Sequence, residues 1–261
     1  MSFHSSLSFA AMTATLLSSS SFGALIAGDV AIVGFQASGV GADSVSFVTF
    51  VDLAPGTVLY FTDNGWTGSA FRGVTATDGD GNENLMRFTA ANTIVAGTII
   101  GSRTSSADYA WALSGLVGPG TSTYAQLSLS SSGEQVTILE STNLANPIFS
   151  DFTALYNFDN TSAYESASSS STGSLAPGLV QGTSAVLLTS SLNSATFNLN
   201  TLASGTQAEW LAAIGDAANW TTGTGTADAS SGFILVVPAP GALALLACAG
   251  MAGSRRRRSA R

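Results

Sequence analysis

Lysine is absent from all 261 residues, and charged residues make up only 9% of the chain, against roughly a quarter in an average globular protein. A coiled coil needs charged flanking positions and a nucleic-acid binder needs a basic face, so both classes are excluded. The only histidine is His4 and the only cysteine is Cys248. Both fall in terminal segments read below as targeting signals. The intervening body therefore has no disulfide, no thiolate, no imidazole base and no Cys or His metal ligand. Zinc fingers, haem ligation, Ser-His-Asp triads and Cys-His dyads are excluded with them.

Hydrophobic residues reach 45%, enough to bury a sizeable core. The charge that exists is unevenly placed. Arg255, Arg256, Arg257, Arg258 and Arg261 give the C-terminal tail +5, while Arg72, Arg87 and Arg103 face all sixteen acids in the body, which carries −13. An acidic body repels phosphate backbones and favours cations. A short basic tail after an apolar stretch is the pattern of a cytoplasmic membrane anchor.

Both ends read as targeting segments. Leu7 to Leu17 is a short apolar run, followed by Ser18 to Ser21, Phe22 and Gly23. This has the shape of a secretory signal peptide over residues 1–23, cut after Gly23 or Ala24 by signal peptidase, although no Lys or Arg precedes the run. At the other end, Val237-Pro238-Ala239-Pro240 leads into GALALLACAGMAG and then the Arg cluster. As a helix those 13 residues would span about 20 Å, short of the roughly 30 Å hydrocarbon core. A transient anchor that is later cut fits better than a permanent span.

Val237, Pro238, Ala239 and Pro240, the short apolar helix and Arg255 to Arg258, in that order, resemble the PEP-CTERM protein-sorting signal of bacterial envelopes. Pro238-Ala239-Pro240 departs from the family's Pro-Glu-Pro in its middle residue. The resemblance covers residues 236–261. It implies processing near the proline motif by an exosortase-like membrane peptidase, and a protein that is exported, transiently anchored in the inner membrane, then placed at the cell surface or outside it.

Residues 24–235 read as an all-β body, a β-sandwich with one short helix, flanked by the signal peptide and the hydrophobic sorting helix. Ser44 to Val51 is apolar on both faces, as in a strand buried between layers. Ala54-Pro55-Gly56 then predicts a turn, with Thr57 to Thr62 as hairpin partner. Further strands are expected at Asp29 to Phe35, Leu85 to Thr89, Thr98 to Gly101, Gln135 to Glu140, Ala185 to Thr189, Ala195 to Leu199 and Phe233 to Val237. In Ala195 to Leu199 apolar and polar residues alternate strictly, the mark of a half-exposed strand. Thr206 to Ile214 is the one helix of note. Thr206 and Glu209 make a capping box, and Trp210 and Ile214 face the core together. The Ser-rich stretch Ser166 to Ser174 fits either a linker or a loop, and the strand count favours one domain.

Gly28 to Phe35, Phe47-Val48, Asp52-Leu53, Pro55-Gly56-Thr57, Tyr60 to Trp66, Ser132 to Val136, Gly205 to Glu209 and Asn219 to Thr221 together resemble a lamin-tail-like β-rich module of secreted bacterial proteins. The resemblance implies a structural module and brings no catalytic residues.

Three chemical readings remain. Asp78, Asp80 and Asn82 place oxygen side chains at alternate positions, as calcium loops do. A solvated turn is the simpler account, because the twelfth position is Thr89 and the sixth is Glu83. Asp63 and Trp66 could line a sugar site, or make a turn beside a core Trp. Carboxylate pairs could support glycoside hydrolysis, but sixteen acids make some pair inevitable. The expectation is a non-catalytic envelope or extracellular-matrix protein with no cofactor, working among extracellular polysaccharide. The alternative is a calcium- or carbohydrate-binding surface module.

Overall fold

The structure, a computed structural model, describes residues 24–37, 43–72, 85–113, 127–131, 133–144, 149–166, 172–189, 193–223, 232 and 234–235. Residues 1–23, expected to be a signal peptide, residues 236–261, expected to be a sorting signal, and Asp78, Asp80 and Asn82 lie outside the described residues.

The described residues are mostly β. The strands are β1 Val30–Gln36, β2 Ser44–Thr49, β3 Val58–Thr62, β4 Leu85–Ala90, β5 Ile99–Gly101, β6 Tyr109–Leu113, β7 Gln135–Ser141, β8 Phe152–Asp159, β9 Ala185–Leu187, β10 Ser194–Phe197 and β11 Trp220–Gly223. One sheet has the order β11-β10-β1-β2-β5, the other β6-β4-β3-β7-β8-β9. Every neighbouring pair is antiparallel except β8–β9, which is parallel.

Aromatic rings interlock the two sheets, as in a β-sandwich. Phe47 of β2 meets Phe61 of β3 and Phe88 of β4 at centroid distances of 5.2 and 5.3 Å. Phe35 of β1 stacks on Phe158 of β8 at 4.9 Å. Such pairs add about 0.5–1.5 kcal/mol each beyond the area they bury. β1 and β3 are buried along their whole length, which explains why the sequence of Val30 to Phe35 does not alternate.

The helix α1, Gln207–Gly215, forms where expected. Thr206 is its N-cap, and the reciprocal bonds of the capping box with Glu209 are both present. Trp210, Leu211 and Ile214 are buried. The helix touches β1 of one sheet and β9 of the other. Trp220 closes the far side by donating its indole N–H to the Ile214 carbonyl at 2.7 Å.

Several expectations need correction. Ser44 to Val51 and Thr57 to Thr62 do not form a hairpin. β2 pairs with β1 and β5, while β3 pairs with β4 and β7 in the opposite sheet. The Ala54-Pro55-Gly56 turn thus carries the chain between sheets. A two-face apolar strand cannot reveal which neighbour it takes, and sequence adjacency misled. The strand expected over Ala195 to Leu199 ends at Phe197, because Asn198 caps a 3-10 turn at Leu199–Thr201, accepting from the Asn200 N–H. β6, β8 and β11 were not foreseen. In β8 a register shift near Leu155 breaks the two-residue period, and Leu155 and Tyr156 both join the main core. β11 has four residues, too few to show a period. Of Phe233 to Val237, only Ile234 and Leu235 are described, with Leu235 bridged to Gly205.

The Ser-rich stretch lies in the connection between β8 and β9, which are neighbours in one sheet. Its last part is tied back, Ser174 donating its N–H to the Trp66 carbonyl at 3.0 Å. Residues 167–171 lie outside the description.

Candidate functional site

The six-stranded sheet has a second buried face, away from the aromatic core. Val58, Tyr60, Leu139 and Ala154 there form a small apolar cluster with Phe71, Ala176 and Leu179 from the covering loops. Beside it runs a polar row. Thr62, Thr137 and Asn157 lie across β3, β7 and β8 in register, followed by Gln135 opposite Asp159. All five are essentially buried. Asn157 donates its Nδ2–H to Thr137 Oγ1 at 2.9 Å. Asp159 accepts from both the N–H and the hydroxyl of Thr161, at 2.7 and 2.6 Å.

Burial pushes the Asp159 carboxyl up to about 6, against the two Thr161 bonds and with help from the negative charge of Glu165. Burial, together with the Asp159 charge, also raises the neighbouring Tyr164 hydroxyl. Among the described residues, Gln135 Nε2, Asn157 Oδ1, Asp159 Oδ2 and Tyr164 OH have no hydrogen-bond partner.

Asp63 directly follows β3 and is fully buried. Its Oδ2 accepts the Ser128 N–H at 2.6 Å. The next two amides are held by other acids, Leu129 N–H by Asp43 at 2.7 Å and Ser130 N–H by Glu134 at 3.1 Å. Three consecutive amides thus take three buried carboxylates. Charge-assisted bonds of this kind are about twice as strong as neutral ones and leave the carboxylates committed to loop anchoring. Trp66 is half-buried, edge-on to Phe71 at 5.0 Å. Its backbone lies against Gly173, where a Cβ would come within 2.7 Å of the Trp66 nitrogen. Asp63 and Trp66 are therefore near in sequence but serve different packing tasks.

A groove lies elsewhere, at the edge strand β6. It has a volume of about 390 Å³ and is lined by residues that include Arg103, Thr104, Tyr109 and Trp111. Tyr109 OH and Thr104 Oγ1 share a hydrogen bond of 2.6 Å. Trp111 packs against Phe88 and Phe61 at 5.1 and 5.2 Å, and its indole N–H is buried without a partner among the described residues. Aromatics two apart on a strand share a face, so Tyr109-Ala110-Trp111 carried a legible signal that sequence reasoning passed over.

Among the described residues no group of three or more His, Cys, Asp or Glu side chains could hold a metal ion. No described helix is long and apolar enough to cross a membrane. Comparison with protein-family models finds no match, and comparisons with curated proteins and with solved structures find none either.

Proposed function

We propose that this chain is a non-catalytic protein of the bacterial envelope or extracellular matrix, exported, briefly membrane-anchored and processed by an exosortase-like peptidase. The observation that carries the reading is the fixed order of Val237-Pro238-Ala239-Pro240, an apolar stretch and Arg255 to Arg258 at the end of an acidic, Lys-free body. Two further features support it. The buried acids Asp43, Asp63 and Glu134 hold backbone amides, which suits a scaffold. The body's last described residues, Ile234 and Leu235, lie against α1, with the Ile234 carbonyl accepting from Trp210 Nε1 at 3.3 Å. The folded part thus extends to within two residues of the proline motif. Peptide mapping and intact mass of envelope fractions test the proposal. The expected species ends near Pro238 to Pro240 and yields no peptide spanning Ala252. A stable full-length species in the membrane would overturn it.

A second reading, a carbohydrate-binding surface module, is favoured by the groove at β6. Tyr109 and Trp111 offer aromatic surface for a sugar ring, and Arg103 offers donors for its hydroxyls. Retention of the protein on extracellular polysaccharide, lost in Tyr109→Ala and Arg103→Ala, would support it. Unchanged retention in both would end it.

A further inference from the structure

A second cavity, of about 200 Å³, opens where the body begins. It is lined by Ala24, Leu25, Asp29, Val51, Asp52, Ala54, Thr57 and Glu140. Three carboxylates from three different elements line it: Asp29 ahead of β1, Asp52 after β2 and Glu140 on β7. Each is already fixed in place. Asp29 accepts the Ile26 N–H at 2.9 Å and the Gln207 amide at 3.3 Å. Asp52 accepts the Ala96 N–H at 2.8 Å. Glu140 Oε2 accepts the Leu25 N–H at 3.0 Å. Like charges held together cost free energy unless a cation joins them. None of Arg72, Arg87 or Arg103 lines the cavity, and the chain has no lysine.

We infer that this cavity receives the α-ammonium group created when the leader is removed, so that processing completes an ion-pair site with Glu140, Asp29 and Asp52. The inference rests on the export reading above. The geometry serves both expected cuts. Cleavage after Gly23 puts the ammonium on Ala24, which lines the cavity, with the Leu25–Glu140 bond intact. Cleavage after Ala24 makes the Leu25 nitrogen itself the ammonium, already 3.0 Å from Glu140 Oε2. Before cleavage the same nitrogen is a neutral amide and brings no positive charge to the carboxylates. Leader removal therefore ties the new end of the chain to β7, one strand of the six-stranded sheet, and to the start of β1 in the other sheet.

The absence of lysine gives a direct test. After leader removal the α-amine is the only primary amine in the molecule, so an amine-acylating reagent reports on it alone. The full chain is expressed with export, and the processed protein is collected. Its first residue is read by mass, and the acylation rate is followed from pH 6 to 10. The expected result is a first residue of Ala24 or Leu25 and an amine that titrates near pH 9, above its ordinary value of about 8. That corresponds to acylation about tenfold slower at pH 7.5. Glu140→Gln and Asp52→Asn should each bring the titration back toward 8, and Asp108→Asn, outside the cavity, should leave it unchanged. An amine at Ala24 or Leu25 that titrates near 8 in the unaltered protein overturns the inference and leaves export standing. A first residue elsewhere overturns the expected leader cleavage and the inference together. If Glu140→Gln does not fold, the unaltered protein and Asp52→Asn still decide.

Discussion

Around β3, β7 and most of β8 the six-stranded sheet is buried on both faces, and the two faces are built by different means. Phe61, Phe88, Ile138 and Phe158 turn one face toward the other sheet in a dry aromatic core. Thr62, Thr137, Asn157, Gln135 and Asp159 fill much of the other under connecting loops. The inner face gains from area removed from water and needs only shape. The outer face gains little from transfer and stands on hydrogen bonds, each worth about 1 kcal/mol net when made and costing about 1–3 when broken on one side. A sheet covered by loops can thus be closed with polar side chains, but its stability then depends on pH and on pairings.

The largest effect should come from the inner face. Phe47 touches Phe61, Phe88 and Trp111 across the sheets. Phe47→Ala should cost about 3–5 kcal/mol through lost burial and a residual cavity, seen as a large drop in thermal midpoint. A loss below about 1 kcal/mol would mean that the sheets are not held by this cluster.

Asp159 gives the next largest effect, in the opposite direction. Its carboxyl titrates near 6 in the fold against an ordinary 3.8, so the fold disfavours its charged form. Protonated, the group costs nothing extra. Between about pH 4 and 6 the unfolded chain has lost the proton and the folded chain still holds it, so stability falls as pH rises and then levels above 6. Asp159→Asn should flatten that slope and raise stability at pH 8 by about 2–3 kcal/mol, while keeping an acceptor for Thr161. Chemical denaturation at pH 4, 6 and 8 measures it. A variant less stable than the parent at pH 8 would show that the carboxylate has a charged partner there.

Thr137 separates making a bond from breaking one. Thr137→Val strands the buried Asn157 amide donor and should cost about 1–3 kcal/mol. Changing Thr137→Val and Asn157→Leu together removes donor and acceptor at once and should recover most of that loss. Additive losses in the double variant would assign the effect to packing instead.

The inner face was largely legible in the sequence and the outer face was not. Strands such as Ser44 to Val51 show their burial through unbroken apolar runs, and Thr206 with Glu209 announces a helix start through local bonds alone. Thr137 and Asn157 are polar residues with nothing in their local sequence to record that both end up buried. Asp63 could be read as a ligand for a sugar hydroxyl or as part of a turn beside a core Trp. Its partner, Ser128, lies 65 residues away, and no local pattern records that pairing. The groove at β6 was only half legible: Tyr109 and Trp111, two apart, mark a shared strand face, but nothing local places Arg103 beside them. β2 and β3 show the same limit for topology: each was recognised as a strand, yet their sheets could not be told from apolar pattern.

The smallest effect tests whether the inner core holds its own rim. α1 has nine residues, too few to persist alone in water. Two things can hold it. One is local, the bonds that Thr206 and Glu209 exchange at its first turn. The other is tertiary, the burial of Trp210 and Ile214 and the Trp210–Phe197 and Trp220–Phe197 ring contacts at 6.2 and 5.9 Å. N-cap removal typically costs about 1 kcal/mol, whereas burying a Trp is worth more than that. Thr206→Ala should therefore lower stability by only about 1 kcal/mol and leave tryptophan fluorescence of the folded protein unchanged. The cap then selects where the helix starts, and the core decides that it forms. A red-shifted emission maximum in folded Thr206→Ala would show Trp210 released to water, and would place the cap, rather than the aromatic core, in control of that end of the sandwich.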